Sequence, residues 1–282
     1  MNKQGWIHGW TLGARQLWRD LRAGELRLLM LSVALAVAAL TAVGFLADRL
    51  QNGLWRDARQ LLGGDAVVVS DQSTPAGFAQ QAAQRGLQTN TNVSFPTMAR
   101  AMPEQGGASR LVALKAVEPG YPLRGRLEVT PAKANASIPS VGEVWVDPGL
   151  LDALNLQVGQ MLGLGDRQLR ISATIVREPD RGAGFMSFAP RVMLHASDLP
   201  STGLVQPASR VTWRMAVAGP TAEADRFVQW AKTEIDAHHW RGVQIESLDT
   251  GRPEMRQTLD RASQFLNLVA LLAALLCAVA VA

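Results

Sequence analysis

The sequence contains almost no cysteine, since Cys277 is the only one among 282 residues. Cys277 lies inside an uncharged C-terminal run, and the rest of the chain can form no internal disulfide. A small secreted scaffold held together by disulfides is therefore excluded. Charged residues make up only 18% of the chain, whereas hydrophobic residues make up 48%. This balance excludes a disordered chain and argues against a soluble cytosolic enzyme.

The sequence also lacks the short motifs of common catalytic sites. Because no Gly-Lys pair occurs, a Walker A loop is excluded, and we do not expect the chain to bind and hydrolyse ATP alone. Neither Gly-x-Ser-x-Gly nor Ser-x-x-Lys is present. His238 and His239 are adjacent, so they diverge by about 100° on a helix and cannot chelate one metal together. We therefore expect no catalytic, cofactor or metal site, and no nucleic-acid partner.

Two long runs, 28–47 and 265–282, contain no charged residue at all. At about 1.5 Å per residue, twenty helical residues reach about 30 Å, the thickness of the hydrocarbon core of a bilayer. The runs predict transmembrane helices at 28–47 and 265–282, the second cut off where the sequence stops. A buried helix of a soluble core and a cleaved signal peptide are alternatives for the first run. Both fit less well, because the run and the leader before it are long.

Basic residues set the expected orientation of the first span. The residues before it carry more Lys and Arg than Asp and Glu, whereas the signs balance in the residues after it. By the positive-inside rule, the N-terminus is cytoplasmic and residues 48–264 are exported to the periplasm of a bacterial inner membrane protein. Segment 1–27 has Trp and Leu at helical spacing, with Arg on other sides. It predicts a cytoplasmic interfacial helix, with packing against another protein helix as the alternative.

Helical spacing of apolar residues continues beyond both runs and predicts two stalk helices, at 48–64 and 253–264. The Gly63-Gly64 pair is expected to end the first stalk, and Pro253 suits the first turn of the second. We expect the stalks to pass motion from the spans to the domain between them. The expected coupling residues are Leu50, Leu54, Leu61, Leu259 and Ala262.

The middle of the chain, 65–252, predicts an α+β domain that divides into two subdomains. Short β-branched stretches bounded by Gly, Pro and Asn predict strands at 66–70, 110–117, 143–147, 168–177, 191–195, 210–218 and 243–247. Apolar spacing predicts helices at 73–85, 148–155 and 221–239. Segments 102–109 and 131–142 are predicted to be exposed loops. Trp213 and Trp240 are predicted to belong to the core.

The densest charged cluster of this domain is Glu178-Pro179-Asp180-Arg181, and an apolar stretch, 185–188, follows it closely. One interpretation makes this segment a contact for a substrate or partner, with Met and aromatic side chains as an adaptable surface. The favoured interpretation is a solvated turn followed by a core strand. The candidate contact residues under the first interpretation are Arg181, Phe185, Met186 and Phe188.

This layout resembles the FtsX/MacB-type ABC transporter permeases, whose relatives include the lipoprotein-releasing LolC and LolE. LGGDAVVVS after the first stalk is similar to the family's entry into its periplasmic core domain. RPEMRQTLDRASQFLNLVALLAALL is similar to its stalk and second span, and DRGAGFMSFAPRVMLHASDL to its large permeases. The resemblance implies a MacB-like periplasmic domain, a cytoplasmic ABC ATPase dimer that holds ATP and Mg, and mechanotransmission acting on lipid, lipoprotein or other amphiphilic substrates.

One departure from the family concerns the number of spans. Members have at least four, whereas this sequence stops inside its second, so we expect it to be the N-terminal portion of a longer permease. The alternative function is a membrane-anchored regulator that activates a periplasmic cell-envelope enzyme. A tethered hydrolase is disfavoured, because no nucleophile lies beside a base in the sequence.

Overall fold

The computed structural model describes residues 25–132, 137–182, 188–207 and 209–247, together with residues 261, 264, 265, 268, 269, 271 and 272. The chain divides into two compact units, Met1–Leu54 with Glu254–Ala282, and Trp55–Pro253. Residues 1–24 of the predicted interfacial helix, almost all of the second stalk and most of the second span lie outside the described residues.

The first described helix, α1 (Glu25–Leu62), contains the uncharged run 28–47 and residues 48–62 of the predicted first stalk. It ends at Gly63, as the Gly-Gly pair predicts. The N–H of Gly63 donates to the carbonyls of Arg59 and Gln60, and its φ of 78° is the left-handed conformation typical of a helix C-terminus. Among the described residues, no helix is both long and apolar enough to cross a membrane. The two spans therefore stay predictions.

The described residues of the unit Trp55–Pro253 form one ten-stranded mixed sheet flanked by three helices. Nine strands run in the order β10-β1-β9-β2-β3-β8-β5-β7-β4, and β6 pairs with β2 and β7. The β3–β8 and β5–β7 pairs are parallel and the others antiparallel. The strands are β1 (Ala66–Ser70), β2 (Gln88–Ala101), β3 (Ser109–Val117), β4 (Glu128–Thr130), β5 (Glu143–Val146), β6 (Met161–Leu164), β7 (Arg167–Arg177), β8 (Arg191–His195), β9 (Thr212–Ala218) and β10 (Val243–Ser247), and the helices are α2 (Ala76–Gln84), α3 (Pro148–Leu154) and α4 (Thr221–His238).

All seven predicted strands and three predicted helices of this unit are present, with ends shifted by up to three residues. The α+β prediction is therefore confirmed. The predicted loop 102–109 differs slightly, because Pro103–Gln105 forms a 3-10 turn and β3 already begins at Ser109. The described strands form a single hydrogen-bonded sheet. The division into two subdomains stays a prediction.

The sequence patterns did not indicate β2, the longest strand, because it is polar and contains Pro96. The strand tolerates this proline because of its neighbours. β9 pairs with β2 only as far as Ser94, and β6 pairs with it only from Ala99. Pro96 therefore lies in a gap along that edge, where its missing N–H breaks no ladder hydrogen bond. Two shorter strands, β4 and β6, were also not predicted.

Three hydrophobic clusters pack around the sheet. The largest joins β2, β3, β5 to β8 and α3 around side chains such as Leu114, Leu150 and Ile171. A second lies between α2, α4 and strands β1 and β9, and a third surrounds Trp145. Trp213 and Trp240 are partly buried against the first and second clusters respectively, so their assignment to the core is confirmed.

Helix α4 packs its predicted apolar face onto the second cluster. Phe227 and Ala231 are fully buried on this face. Phe78 of α2 lies 6.5 Å from the Phe227 ring centre and 5.2 Å from the Trp230 ring centre, both in edge-to-face geometry. Such aromatic pairs contribute roughly 0.5–1.5 kcal/mol each beyond their buried area.

Candidate functional site

A lysine lies inside the apolar part of β3. Lys115 is only 2% exposed, and the six residues of β3 from Val112 to Val117 are all buried. Its ammonium group donates to Glu178 Oε1 at 3.0 Å, to Asp180 Oδ1 at 2.7 Å and to the Tyr121 hydroxyl at 2.8 Å. A buried ammonium needs partners of this kind, because its desolvation costs several kcal/mol.

Arg191, at the start of β8, completes the network. Its Nε donates to Glu178 Oε2 at 2.8 Å, and the side chains of Arg191 and Glu178 are 5% and 0% exposed. Two cations, Lys115 and Arg191, thus face two carboxylates, Glu178 and Asp180, so the buried charges balance. We call these four residues with Tyr121 the buried ion network. It joins β3, the segment after β3, the segment after β7, and β8.

Tyr121 connects a cation and a carboxylate of the buried ion network. Its hydroxyl accepts from Lys115 and donates to Asp180 Oδ1, and the lysine ammonium lies 4.6 Å from the ring centre. Burial raises the pKa of Tyr121 well above its ordinary value of 10.0, and the charges of Asp180 and Glu178 raise it further. The phenol therefore stays protonated and acts as a hydrogen-bond donor to the carboxylate.

Asp180 remains ionised within this cluster. Burial by itself would raise the pKa of Asp180, but the charge of Lys115 and the hydrogen bonds donated by Lys115 and Tyr121 bring it below the ordinary value of 3.8. The negative charge of this buried carboxylate therefore depends on the lysine ammonium and on the tyrosine phenol.

The end of α1 lies directly against this network. A methyl group placed on Gly63 would fall 3.1 Å from both Cβ and Oδ2 of Asp180, so a larger residue would require Asp180 to shift. The carbonyl of Gly63 accepts from the N–H of Arg124 at 3.3 Å. Gly63, the residue that follows α1, thus lies beside Asp180 of the network and is hydrogen-bonded to the backbone of Arg124.

A second ion cluster holds the same helix end. Asp65 accepts from Arg124 Nε at 3.1 Å and from Arg124 Nη2 at 2.7 Å, a two-pronged pair. It also accepts from the N–H of Gly219 at 2.9 Å, and Arg59 of α1 lies 3.5 Å away. Because the Asp65 side chain is 4% exposed, this pairing tethers the residues that follow α1 to β9 and its exit loop.

Arg181 closes the base of the segment between β7 and β8. Its Nη2 donates to Asp147 Oδ2 at 2.8 Å and to the carbonyl of Ala189 at 3.4 Å, while Arg191 donates to the Arg181 carbonyl at 3.3 Å. Asp147 is the N-cap of α3 and accepts from the N–H of Gly149. Arg181 is therefore anchored by protein partners and positions this segment.

The structure corrects the favoured interpretation of segment 178–188. Glu178 and Asp180 are not in a solvated turn, because both carboxylates are buried in the ion network. Phe188 is not part of a core strand, because it is 85% exposed. The favoured interpretation did not include the buried lysine that pairs with both carboxylates. The sequence carried one signal of this residue, a lone lysine within the apolar stretch LVALKAV.

The remaining predicted site residues are placed as follows. Phe185 and Met186 lie outside the described residues. Leu50 and Leu54 lie in α1, and Leu61 lies in its last turn with 40% exposure. Leu259 and Ala262 lie outside the described residues. The coupling and contact roles of these residues stay predictions.

Two clefts lined by described residues open on the surface of this unit. The smaller, of about 300 Å³, lies beside the last turn of α1 and is lined by Gln60, Gly125, Arg126, Glu128, Arg177 and Pro179. The larger, of about 590 Å³, is lined by Asp71, Gln72, Val205, Gln206, Ser209, Arg210, Val211, Thr212 and Trp213. Within the described part of the chain, no group of His, Cys, Asp and Glu could hold a metal ion.

Sequence comparison relates the chain to a transport protein. No family model matches it. A curated Escherichia coli (strain K12) protein, "Uncharacterized ABC transporter permease YbbP", is 35% identical over 270 residues. This chain is a homologue of an ABC transporter permease. The resemblance that the sequence motifs indicated is thereby confirmed. The alignment covers 95% of this chain but 32% of YbbP, so the chain spans about a third of its relative's length.

Solved structures show a looser likeness. The periplasmic region of MacB from Actinobacillus actinomycetemcomitans shares 14% identity at a TM-score of 0.43, covering 72% of this chain and 95% of that one. The extracellular domain of the noncanonical ABC-type transporter YknZ from Gram-positive bacteria shares 9% identity at a TM-score of 0.42, covering 64% of this chain and 100% of that one.

Proposed function

We propose that this chain is part of the membrane subunit of an ABC transporter and couples a separate cytoplasmic ATPase dimer to an exported α+β domain. The observation that supports it is the 35% identity to a permease, which extends over 95% of the chain. ATP and Mg would bind the partner ATPase, and this chain would be non-catalytic. The proposed substrates are lipidic or amphiphilic molecules, including lipoproteins.

The proposal places the chain in a bacterial inner membrane, with a cytoplasmic N-terminus and residues 48–264 in the periplasm. Two features of the sequence support this placement. Residues 28–47 and 265–282 carry no charge, and basic residues are in excess before the first run. Membrane lipid would then be a permanent partner, and a periplasmic protein could be a transient one.

The end of α1 is the proposed element that transmits motion to the exported domain. Allosteric coupling needs an element whose arrangement is biased from both ends. Gly63 touches Asp180 of the buried ion network, and Asp65 binds Arg124. Because packed interiors deform little, a displacement of the last helical turn must rearrange these contacts and the segment that Arg181 anchors.

The test uses the full-length protein, tagged and recovered from the membranes of its own host after cross-linking. We expect an ABC ATPase to be recovered with it. In nanodiscs, ATP hydrolysis by the complex should rise when a total envelope lipid and lipoprotein extract is added. Gly63→Ala should reduce the ratio of stimulated to basal hydrolysis. Gly86→Ala is the matched control, because Gly86 also has a positive φ but nothing lies within 4 Å of its added methyl group.

Two outcomes would count against the proposal. Recovery of no ABC ATPase from cross-linked membranes would remove the transporter function. Nucleotide-dependent recovery of a cell-envelope enzyme, with hydrolysis indifferent to the extract, would replace it with the regulator.

A further inference from the structure

The smaller cleft combines side chains from four parts of the unit. Gln60 comes from the last turn of α1, Gly125 and Arg126 precede β4, and Glu128 begins β4. Arg177 ends β7, and Pro179 lies between the two carboxylates of the buried ion network. With a volume of about 300 Å³, the cleft suits a small ligand or a single chemical group of a larger one.

Two guanidinium groups and one carboxylate line this cleft, so it carries an excess positive charge. Arg177 lies 3.8 Å from Glu128, and their side chains are 65% and 54% exposed. This distance is longer than a hydrogen bond, and an ion pair that is so exposed contributes little to stability. Arg177 therefore remains available for a ligand. For Arg126, the described part of the chain offers no hydrogen-bond or ion-pair partner.

The backbone fixes the shape of the cleft wall. The β4–β7 register shifts between Glu128, which faces Arg177, and Val129, which faces Ile175. Such a bulge redirects the side chains beside it. At Gly125, φ is 87°, and a Cβ there would lie 2.8 Å from Cβ of Pro179, so only glycine permits this close approach. The two arginines are thus presented from a tightly packed edge.

We propose that this cleft binds a phosphate group, either as the free anion or as a phosphomonoester. A guanidinium group presents paired N–H donors that match two oxygens of a phosphate, which makes arginine the preferred residue for this recognition. Two such groups outweigh one carboxylate, and the amide of Gln60 adds a neutral donor. The ligand would contact both the last turn of α1 and Pro179.

This assignment is independent of the proposed transport function, since it requires neither an ATPase nor a transported substrate. The same phosphate chemistry occurs in free phosphate and in phospholipid headgroups. The experiment therefore uses two probes, inorganic phosphate and a short-chain phosphatidic acid below its micelle concentration. Each is titrated by calorimetry into the full chain held in nanodiscs of zwitterionic lipid.

Removing a positive charge from the cleft and removing its negative charge should change the binding affinity in opposite directions. Arg126→Gln and Arg177→Gln should each weaken binding by about tenfold, the effect of losing a charged hydrogen bond. Glu128→Gln should strengthen binding severalfold, because it removes the repelling carboxylate. Arg167→Gln, at the exposed opposite end of β7, should leave binding unchanged.

The two probes distinguish the source of the phosphate group. Tighter binding of phosphatidic acid than of phosphate identifies a lipid headgroup, and the reverse identifies a free anion; both support the site. The site is wrong if neither probe binds, or if binding is insensitive to Arg126, Arg177 and Glu128. Because these three side chains are exposed, equal urea midpoints for all variants should exclude misfolding as the cause.

Discussion

Gly63 and Asp180 form the contact between the last turn of α1 and the buried ion network. The glycine has a φ of 78°, and the nearest atoms to an added methyl group would be Cβ and Oδ2 of Asp180 at 3.1 Å. The contact places a helix end against an ionised carboxylate whose other partners are Lys115 and Tyr121. A change at Gly63 should therefore affect the network as well as the helix end.

The first prediction compares alanine at two glycines. Both Gly63→Ala and Gly86→Ala introduce a side chain at positive φ, which costs about 1–2 kcal/mol. Only Gly63→Ala also crowds a neighbour, and such overpacking adds about 1–3 kcal/mol. We expect the free energy of unfolding of the detergent-solubilised chain, measured by urea titration of tryptophan fluorescence, to fall more for Gly63→Ala. Equal losses for the two variants would mean that Asp180 yields freely to the methyl group.

Regular patterns made most elements of the domain predictable from the sequence. In α4, apolar residues such as Phe227 and Ala231 recur at helical spacing and are buried as expected. The strand β1 contains three consecutive valines and lies between the Gly63-Gly64 pair and a turn. β2 has no such pattern, because the polar residues Asn90 and Asn92 are buried in it. Asn90, for example, donates to the carbonyls of Glu118 and Pro119.

The candidate site was only partly predictable, because its partners come from distant parts of the sequence. The cluster Glu178-Pro179-Asp180-Arg181 was recognised from its charge density. Its burial depends on Lys115, which is 63 residues from Glu178 and 65 from Asp180. Sequence spacing carries no information on such pairs, since the pairing of β3 with β8, which follows the segment that holds both carboxylates, is a property of the whole sheet.

A second prediction concerns the energetic coupling of Lys115 and Asp180. Removing one partner of a buried ion pair leaves the other charge unpaired and costs about 3–5 kcal/mol. Lys115→Met and Asp180→Asn should therefore each destabilise the chain strongly. The double variant should lose clearly less than the sum of the two, with a coupling of about 0.5–3 kcal/mol.

The double-mutant cycle is measured by urea unfolding of all four proteins at one pH. Arg214→Gln with Glu246→Gln provides a comparison cycle, because that pair is 2.9 Å apart but more exposed. It should show a smaller coupling energy. Additive losses at Lys115 and Asp180 would show that the two charges do not stabilise each other.

A third prediction follows from the lowered pKa of Asp180. A carboxylate with a lower pKa in the folded state than in the unfolded state stabilises the fold above the unfolded value. That contribution should be present above the ordinary value of 3.8 and be lost as pH falls through the folded pKa. The urea midpoint should therefore fall on acidification below that value, and less steeply in Asp180→Asn. An equally steep fall of the urea midpoint with acidification in the two proteins would contradict this prediction.

The last prediction uses Tyr121, which is the only tyrosine in the chain. Its raised pKa means that the unfolded chain loses the phenol proton first, near the ordinary value of 10.0. The stability contributed by the neutral phenol is thus complete below that pH and is lost as pH rises through the folded pKa. Tyr121→Phe should be less stable at neutral pH by about 1–3 kcal/mol, because Asp180 loses a donor.

Tyrosinate absorbance measures this ionisation directly, because only one side chain in the protein produces it. The absorbance of the folded chain should rise only well above the pH at which the urea-unfolded chain titrates, and Tyr121→Phe should show no rise. The stability difference between the two proteins should shrink at alkaline pH, because ionisation makes the phenol repel Asp180 and Glu178. If the phenol of the folded chain instead titrated at the same pH as that of the unfolded chain, the Tyr121 hydroxyl would be in contact with water. The ion network would then not be buried at this residue.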